Sequence, residues 1–339
     1  MHELNPIDVI TLPEMPEEQA HDFVPKKFEQ FIGQTELKKK LAIYTAAAKM
    51  RGEPVDHILF SGPPGLGKTT LSQIMAYEMD VAIKICSGPM LERTGDLVAI
   101  LSGLQLRDIL FIDEIHRTPK AVEEVLYSAM EQFRVDVIIG QGAAAKTIGV
   151  PLAPFTLIGA TTRSGLLTAP LRSRFGITER LDFYHEHEVQ QIVLQYADYL
   201  KLHLLPEAAM RLARASRGTP RMAKKLTRRV RDFAQVQQAR MCDEPFVIQA
   251  LHALGIDQEG LCVVDNLILK KVLASFGGGP VGLETISAII GEDSDTIETV
   301  YEPFLLRKGY LEKTGRGRQI PPLMRPRLRK KFFGQESVF

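Results

Sequence analysis

Short apolar runs alternate with amphipathic stretches along the first half of the chain. The runs with the length of β-strands are His57–Ser61, Val81–Cys86, Ile109–Ile112, Phe155–Ala160 and Ile177–Phe183. The stretches with helical periodicity between them are Thr69–Met79, Asp96–Leu104 and Ala121–Phe133. Because the middle strands are apolar throughout, they fit a parallel sheet that is covered on both faces. The pattern therefore predicts an α/β domain at residues 26–184.

The stretch Arg134–Val150 interrupts this alternation. Two β-like segments flank a turn that is rich in Gly and Ala. We therefore predict a β-hairpin that is inserted into the α/β domain.

The pattern changes in the second half of the chain. From Glu186 to about Leu254 the strands give way to amphipathic helices, which predict a small helical domain at residues 185–256.

A third pattern begins at about Asp257. Three helical stretches end near Lys308, and a β-like pair then surrounds the turn Thr314–Gly317. Three helices followed by a basic hairpin predict a winged helix at residues 257–332, with residues 333–339 as a C-terminal tail.

The composition is that of a globular protein, with 45% hydrophobic and 24% charged residues among 339. No apolar run approaches the ~18–20 residues of a membrane-spanning helix. The N-terminus lacks the basic and apolar regions of a secretory signal. The three cysteines, Cys86, Cys242 and Cys262, lack the spacing of a zinc site or a disulfide framework. These features predict a soluble cytoplasmic protein that does not act in a membrane.

The net charge of +1 conceals strong local asymmetry. Met1–Val24 contains six acids and no Lys or Arg, which predicts a flexible acidic tail at residues 1–25. Arg211–Arg231 contains nine basic residues and no acid, and Arg307–Lys331 contains ten with a single acid. A charge run is often only a solvated face, but two dense basic blocks in a nearly neutral chain favour a polyanionic partner.

A P-loop is the strongest chemical signal. The segment GPPGLGKT at Gly62–Thr69 matches the pattern GxxxxGK[ST] between a predicted strand and a predicted helix. Its backbone N–H groups would surround the phosphates of ATP, Lys68 would reach the β- and γ-phosphates, and Thr69 would bind Mg²⁺. The residues of this segment that are predicted to bind ATP are Gly62, Gly65, Gly67, Lys68, Thr69 and Thr70.

Two adjacent carboxylates, Asp113 and Glu114, follow the apolar strand ILFI. Two acids at the end of a buried strand are costly unless a cation compensates them. We therefore predict that Asp113 binds Mg²⁺ as the Walker-B acid and that Glu114 is the general base for an attacking water. Together with the P-loop, these acids predict nucleotide hydrolysis.

Three later segments resemble those of the AAA+ ATPase family. In GATTR, the resemblance implies that Thr161 or Thr162 positions the attacking water. In LRSRF, it implies that Arg174 is an arginine finger, which completes the site of a neighbouring subunit. In GTPR, it implies that Arg221 is the sensor-2 arginine that approaches the phosphates. The implied fold is an α/β P-loop AAA+ ATPase domain with a parallel sheet, followed by a small helical lid domain and a C-terminal winged-helix domain.

Within this family, the order of segments is similar to that of the hexameric motors that drive branch migration of four-way DNA junctions in bacteria. The resemblance covers residues 25–318 and implies that duplex and four-way junction DNA are the substrates. It also implies two protein partners, a junction-binding protein and a junction resolvase. The hairpin would dock the junction-binding protein through exposed apolar residues that include Ile148 and Val150.

The same resemblance implies further contacts. The residues it places near the nucleotide are Phe23, Val24, Glu131, Gln132, Phe133 and Tyr184, and those it places on the DNA backbone are Lys313, Arg316 and Arg318. Tyr184 is equally compatible with plain core packing. Val24 and Ser294 stand where these motors have arginine, and Lys313 keeps the charge of the usual arginine without its forked recognition of phosphate.

Two alternatives remain open. A clamp-loader or unfoldase subunit shares the first motifs, but it would lack the winged helix and its basic wing. A nucleotide-dependent DNA-binding regulator would hydrolyse ATP slowly and never translocate, and the intact Glu114, Thr161 or Thr162, and Arg174 argue against it. His116 is predicted to have a structural role, because Glu114 is better placed to act as the base.

Overall fold

The first part of the protein is built on a five-stranded parallel sheet. The structure, a computed structural model, describes residues 23–139 and 146–334, and most of the predicted acidic tail lies outside these ranges. The strands of this part are β1 (Ile58–Ser61), β2 (Ile83–Ser87), β3 (Ile109–Asp113), β4 (Arg134–Ile139), β5 (Lys146–Pro151), β6 (Thr156–Thr161) and β7 (Ile177–Arg180). The order in the main sheet is β2-β3-β6-β1-β7, and every neighbouring pair is parallel.

Five helices accompany this sheet. They are α1 (Thr35–Arg51), α2 (Lys68–Met79), α3 (Thr94–Ser102), α4 (Lys120–Gln132) and α5 (Ala169–Ser173). Strands β3 and β6 are buried along nearly their whole length, as their apolar sequences predict. Because all five strands are parallel, the P-loop after β1, Asp113 at the end of β3 and Thr161 at the end of β6 lie at the same edge of the sheet.

The predicted strand at Ile177–Phe183 is shorter in the structure and ends at Arg180. Arg180 is paired with Ser61, the last residue of β1, and the Leu181 N–H makes one further hydrogen bond, of 2.8 Å, to the Ser61 carbonyl. The chain then leaves the sheet toward the helical part of the protein.

The predicted hairpin is present as the antiparallel pair β4–β5. Val137 is paired with Ile148 in its register. Val135 is fully buried in the core of the α/β part, and half-buried Val150 packs against the same core. These contacts anchor the base of the hairpin, while its predicted Gly/Ala turn falls mostly within residues 140–145, outside the described residues.

The chain divides into two compact units. One contains the chain up to Gly62 together with Lys68–Leu181, and the other contains Pro63–Gly67 together with the chain from Asp182. The P-loop therefore contributes to both units. Each unit is described by itself below.

The second unit begins with a bundle of helices that we call the lid. Its helices are α6 (Glu186–Tyr199), α7 (Pro206–Ala215), α8 (Pro220–Val236) and α9 (Glu244–Ala253). Each helix buries an apolar face, for example Val189 and Val193 of α6 and Leu226 and Val230 of α8. The arginines and lysines of α8 occupy its other faces, as expected for an amphipathic helix.

A winged helix, which we call the head, follows the lid. Its helices are α10 (Val263–Phe276), α11 (Leu283–Ile290), α12 (Ser294–Thr296), α13 (Glu302–Arg307) and α14 (Arg325–Phe333), and its wing is the pair β8 (Glu312–Thr314) and β9 (Gly317–Gln319). Arg318 of the wing also exchanges two backbone hydrogen bonds of 2.8 Å with Val281. The fold class predicted from the sequence is thus observed.

The third predicted head helix, Asp293–Lys308, is not regular. A π-helical turn at Ile297–Tyr301 separates α12 from α13. Pro303 stands in the first turn of α13 and has no N–H to donate to the preceding turn. The missing donor explains why the hydrogen-bond ladder widens at this point.

The basic stretch after the wing forms α14 and is tied to the start of the head. Lys331 donates to Asp257 at 2.7 Å and to Glu259 at 2.6 Å, and Arg327 is paired with the same Glu259. Part of this basic block therefore neutralises acids of its own chain.

Candidate nucleotide and DNA sites

The P-loop glycines adopt backbone conformations that other residues rarely adopt. Gly62, Gly65 and Gly67 have φ values of +139°, +78° and +102°. Such conformations turn successive N–H groups toward one side of a loop, which is the geometry that binds phosphate. The segment thus fits the triphosphate that its sequence predicts.

Lys68 begins α2 and its side chain is buried. Its Nζ donates to the Gly62 carbonyl at 2.8 Å. Burial lowers the pKa of Lys68, while Asp113 and Glu114 act in the opposite direction. The ammonium group therefore lies in the field of both Walker-B acids. Thr69 and Thr70, which follow it on α2, are half-buried.

Asp113 and Glu114 lie at the carboxyl end of β3, and both are half-buried. The Glu114 N–H donates to Asp113 Oδ1 at 2.9 Å. Glu114 has a φ of +47°, a left-handed conformation that is costly for a residue other than glycine and is often found at functional sites. The two acids therefore lie at the carboxyl edge of the parallel sheet, the edge at which the P-loop follows β1. A half-buried carboxylate at this edge suits Mg²⁺, which is usually held by one or two carboxylates together with substrate phosphates.

The Glu114 carboxylate is part of a hydrogen-bond network. Its Oε2 accepts from Thr162 Oγ1 at 3.0 Å and lies 3.1 Å from His116 Nδ1. The same Nδ1 lies 2.9 Å from Thr161 Oγ1, which also accepts from the Arg163 N–H at 3.0 Å. The structure therefore connects both candidate water-positioning threonines to Glu114, one directly and the other through a histidine.

Arg174 follows α5 and is paired within its own chain. Its Nη2 lies 3.1 Å from Glu131 Oε1, its guanidinium lies 4.5 Å from the centroid of the Tyr127 ring, and its Nη1 donates to the Pro170 carbonyl at 2.7 Å. The Arg174 Nε is buried and has no acceptor among the described residues. Two residues that were predicted to bind ATP, Arg174 and Glu131, are thus brought together.

The other residues that were predicted to lie near the nucleotide differ in how exposed they are. Gln132 is exposed at the end of α4. The Phe133 ring packs edge-on against Phe155, with the centroids 5.9 Å apart, and belongs to the periphery of the α/β core. Phe23 is half-buried and Val24 is exposed at the start of the described chain.

The lid contacts the part of the P-loop that belongs to its unit. The Tyr184 hydroxyl donates to the Leu66 carbonyl at 3.0 Å, and the Arg221 N–H donates to the Gly65 carbonyl at 3.3 Å. A Cβ atom added to Gly65 would lie 2.9 Å from the Arg221 Cβ, so the two backbones are in close contact. The buried Tyr184 is therefore a P-loop contact as well as a core residue.

The loop before α8 also contacts the head. The Arg217 guanidinium is paired with Asp265, a fully buried residue of α10, and lies 4.9 Å from the centroid of the Phe304 ring. Arg307 of α13 lies over the Phe183 ring at 4.2 Å, and Lys308 is paired with Glu186 at 3.1 Å. The lid is therefore joined to the head by charged and aromatic contacts, both at the loop before α8 and at the start of α6.

Two of the three predicted DNA-binding residues are paired with acids. Arg318 lies 3.0 Å from Glu302 and 3.4 Å from Glu298, and Lys313 lies 2.8 Å and 3.3 Å from the same two acids. The hydrogen bond to Glu302 is the main cause that raises the pKa of Lys313, and burial opposes it. Arg316, at the turn of the wing, is exposed.

The two predicted partner-binding residues of the hairpin differ in exposure. Ile148 is 49% exposed, which is unusual for a large apolar side chain in a strand. Val150 packs against the α/β core. Of the two, Ile148 offers the accessible apolar surface.

The sequence pattern does not indicate the positions of three residues near these sites. His116 lies beside Glu114, and its place two residues after that glutamate in the sequence was a signal that it could reach the carboxylate. The other two are Glu298 and Glu302, whose spacing of four residues on a helix puts them on one face. Both acids contact the wing.

No helix in residues 23–139 or 146–334 has the length and apolar character needed to cross a membrane. Within the same ranges, no three His, Cys, Asp or Glu residues are grouped so that they could hold a metal ion.

Comparison with known proteins accounts for nearly the whole described chain. Residues 23–181 match the model of the Holliday junction DNA helicase RuvB P-loop domain, residues 184–257 that of the RuvB AAA lid domain, and residues 258–323 that of the RuvB C-terminal winged helix domain. The chain is similar to the Holliday junction branch migration complex subunits RuvB of Enterococcus faecalis and Staphylococcus aureus. The former is 52% identical over 88% of each chain, and the latter is 54% identical over 88% of this chain and 90% of the relative.

The solved structures agree with these sequence relatives. The RuvB Holliday junction branch migration motor of Thermotoga maritima matches with a TM-score of 0.81 and 47% identity, over 90% of this chain and 97% of that one.

Proposed function

The chain belongs to the RuvB family of ATP-driven Holliday junction branch migration motors, and we propose how its residues perform the ATPase reaction and engage DNA. Its activity is the hydrolysis of ATP to drive branch migration, which belongs to recombination and DNA repair. We assign the ATPase domain to residues 26–184, the lid to 185–256 and the winged helix to 257–332.

The nucleotide would be held by the P-loop. The N–H groups of Gly62, Gly65 and Gly67 would surround the phosphates, and the buried Lys68 would lie against the β- and γ-phosphates. Thr69 and Asp113 would hold Mg²⁺, which when bound neutralises charge on the phosphates.

Further residues of the chain would complete this nucleotide site. Arg221 would approach the phosphates, and its backbone contact with Gly65 supports this assignment. The remaining residues that we assign to the nucleotide are Phe23, Val24, Thr70, Glu131, Gln132, Phe133 and Tyr184.

Glu114 would remove a proton from the attacking water. The observation that carries this assignment is the placement of its carboxylate at the carboxyl edge of the sheet, beside Asp113 and held by Thr162. One carboxylate oxygen accepts the Thr162 hydrogen bond, which orients the group while the other oxygen can accept from water. Thr161 and Thr162 would therefore position the base and its water.

Arg174 would act in trans in a homo-hexamer. Two observations support this role. The partner of Arg174 within its own chain, Glu131, is exposed, and the Arg174 Nε has no acceptor among the described residues, so the guanidinium could contact a nucleotide bound to a neighbouring subunit. An arginine supplied by a neighbouring subunit accelerates nucleotide hydrolysis by ~10³–10⁵.

The head would bind the backbone of duplex DNA at the four-way junction. Contacts with phosphates rather than bases suit a motor that must move along any sequence. Arg316 and Lys313 are both exposed, and Arg318 is half-buried. Lys313 and Arg318 would have to reach phosphate from an ion-pair network with Glu298 and Glu302.

Two protein partners complete the proposal. The exposed Ile148 of the hairpin would dock the junction-binding protein RuvA, with Val150 supporting it from the core. The resolvase RuvC would act on the same junction. We place the whole assembly in the cytoplasm.

The test is ATP-dependent dissociation of a synthetic four-way junction in the presence of RuvA. Glu114→Gln should bind ATP but lose about 10²–10⁴ of the turnover, because the amide cannot accept the proton. Junction dissociation should be lost with it. Near-normal ATPase activity in this variant would refute the assignment of the base. Ile148→Asp tests the partner site in the same assay. This variant should keep its ATPase activity without RuvA and lose the stimulation by RuvA. A loss of both would mean that Ile148 supports the fold.

A further inference from the structure

His116 lies between the two strand ends that carry the ATPase chemistry. It follows β3 within the short 3₁₀ turn Ile115–Arg117, and its side chain is only 7% exposed. Its Nδ1 is 3.1 Å from Glu114 Oε2 and 2.9 Å from Thr161 Oγ1 at the end of β6. A histidine that served only to fill the core would not need both of these polar partners.

The charge state of His116 determines what it can donate. Burial lowers its pKa, and the nearby Arg163 and Arg117 act in the same direction, while Glu114 and Asp113 act against them. A neutral imidazole carries one N–H, and its tautomer is assigned from its partners. Because a carboxylate oxygen only accepts, the atom that faces Glu114, Nδ1, carries the proton.

Two polar groups approach one oxygen of Glu114. Thr162 Oγ1 donates a hydrogen bond to Oε2 at 3.0 Å, and Nδ1 of His116 lies 3.1 Å from the same oxygen. The single N–H of a neutral imidazole protonated at Nδ1 is then shared between Glu114 Oε2 and Thr161 Oγ1, which lies 2.9 Å away. Both contacts fall on Oε2 and leave Oε1 as the oxygen that can accept the proton of water. They also define the rotamer of a side chain whose backbone is in the left-handed region.

We propose that His116 is a positioning residue that orients the Glu114 carboxylate and links it to Thr161. The proposal rests on the proposed function, in which Glu114 is the base. His116 does not take the proton itself. It keeps Glu114 aligned with the threonine that ends β6, so that the base and the water-positioning residue move together.

This role predicts an effect on turnover and not on nucleotide binding. A hydrogen bond to a charged group that orients a catalytic base is worth about ten- to hundredfold in rate. Replacing the donor should therefore lower kcat by that factor, with little change in the KM for ATP. The P-loop and Asp113, which would hold the nucleotide, are not altered.

The experiment compares His116→Asn with His116→Leu in the full-length protein. Asn and Leu have nearly the same shape, so both variants leave a similar space, but only Asn keeps a donor near the position of Nδ1. We expect Asn to retain kcat near the wild-type value and Leu to lose about ten- to hundredfold at an unchanged KM. Steady-state ATPase kinetics and MgATP affinity are the measurements.

Several outcomes would overturn the proposal. Equal losses in both variants would mean that the shape of the histidine matters and its donor does not. Retention of kcat by His116→Leu, or a loss confined to KM, would remove the link to Glu114. Glu114→Gln, measured beside these variants, distinguishes failure of this proposal from failure of the proposed function. If Glu114→Gln keeps normal turnover, Glu114 is not the base. If Glu114→Gln is inactive while both His116 variants keep normal turnover, Glu114 is the base and only the role of His116 is wrong.

Discussion

Arg174 of the α/β part and Arg318 of the wing are both paired with a carboxylate of their own chain, but the two carboxylates differ in burial. The side chain of Glu131, which pairs with Arg174, is 53% exposed, whereas that of Glu302, which pairs with Arg318, is 2% exposed. An exposed ion pair contributes about 0–1 kcal/mol. Removing one partner of a buried pair costs about 3–5 kcal/mol. Arg174 can therefore exchange Glu131 for another anion, whereas Arg318 is retained by Glu302.

The difference shows what decides whether a basic residue is available to a partner. Both arginines were assigned to phosphate-bearing partners because of their position in a motif. The motif shows where the arginine lies along the chain. The burial of the carboxylate that pairs with the arginine determines how much free energy is needed to separate the two and free the arginine for a phosphate. The same criterion divides the basic residues of the wing, since Lys313 and Arg318 are paired with the buried Glu302 and Arg316 lies exposed at the turn.

The largest expected effect concerns Arg174. Arg174→Ala should lower ATPase activity by ~10³–10⁵, because an arginine that stabilises the transition state would be lost. Loss of the exposed pair with Glu131 should change stability to urea by no more than about 1 kcal/mol, and loss of the Tyr127 and Pro170 contacts adds a cost of about 1 kcal/mol each. Mixing this variant with Lys68→Ala should form some sites with an intact P-loop and an intact arginine. If the mixture is no more active than the two variants measured separately, Arg174 does not act in trans.

The opposite behaviour is expected of Arg318. Arg318→Ala should destabilise the head by less than the ~3–5 kcal/mol of a fully broken buried pair, because Glu302 would be left buried with Lys313 as its remaining cation. Faster amide hydrogen exchange in β8, β9 and α13 would report this opening. The matched control is Arg318→Ala combined with Glu302→Gln, which removes the buried charge and should restore protection. Unchanged exchange in the single variant would mean that the pair is not needed for the wing.

The smallest effect is expected for Arg316. Arg316→Ala should weaken binding equally to two unrelated duplexes and flatten the slope of log affinity against log salt by about 0.9, because one phosphate contact is lost. A salt titration of binding measures this. Arg327→Ala is the control, since Arg327 is exposed on the same domain but paired with Glu259. A slope that falls in the control and not in Arg316→Ala would move the DNA contact to α14.

Much of the architecture could be predicted because its signals are local. The apolar strand before Asp113 and the P-loop before α2 mark the ends of elements, and parallel strands bring such ends to one edge. The contacts of His116 with Thr161 were not predictable in this way. They join residues 45 positions apart, and only the neighbouring placement of β3 and β6 brings them together.

The wing illustrates the same limit. The linear pattern showed basic residues on a predicted hairpin, and it also contained Glu298 and Glu302. It did not show that the helix carrying these acids packs beside the wing. The π-helical turn had a visible cause in Pro303, yet the periodicity of the surrounding residues predicted an uninterrupted helix.

The pairing of Arg217 with Asp265 limits how freely this lid could be recombined with other heads. A chimaera that joined residues 184–257 to a head without an acid at position 265 would leave a mostly buried guanidinium without its counter-charge. A head grafted onto a lid without arginine at 217 would bury an uncompensated carboxylate. The lid and the head are therefore expected to be exchangeable only as a pair, although they match two separate domain models.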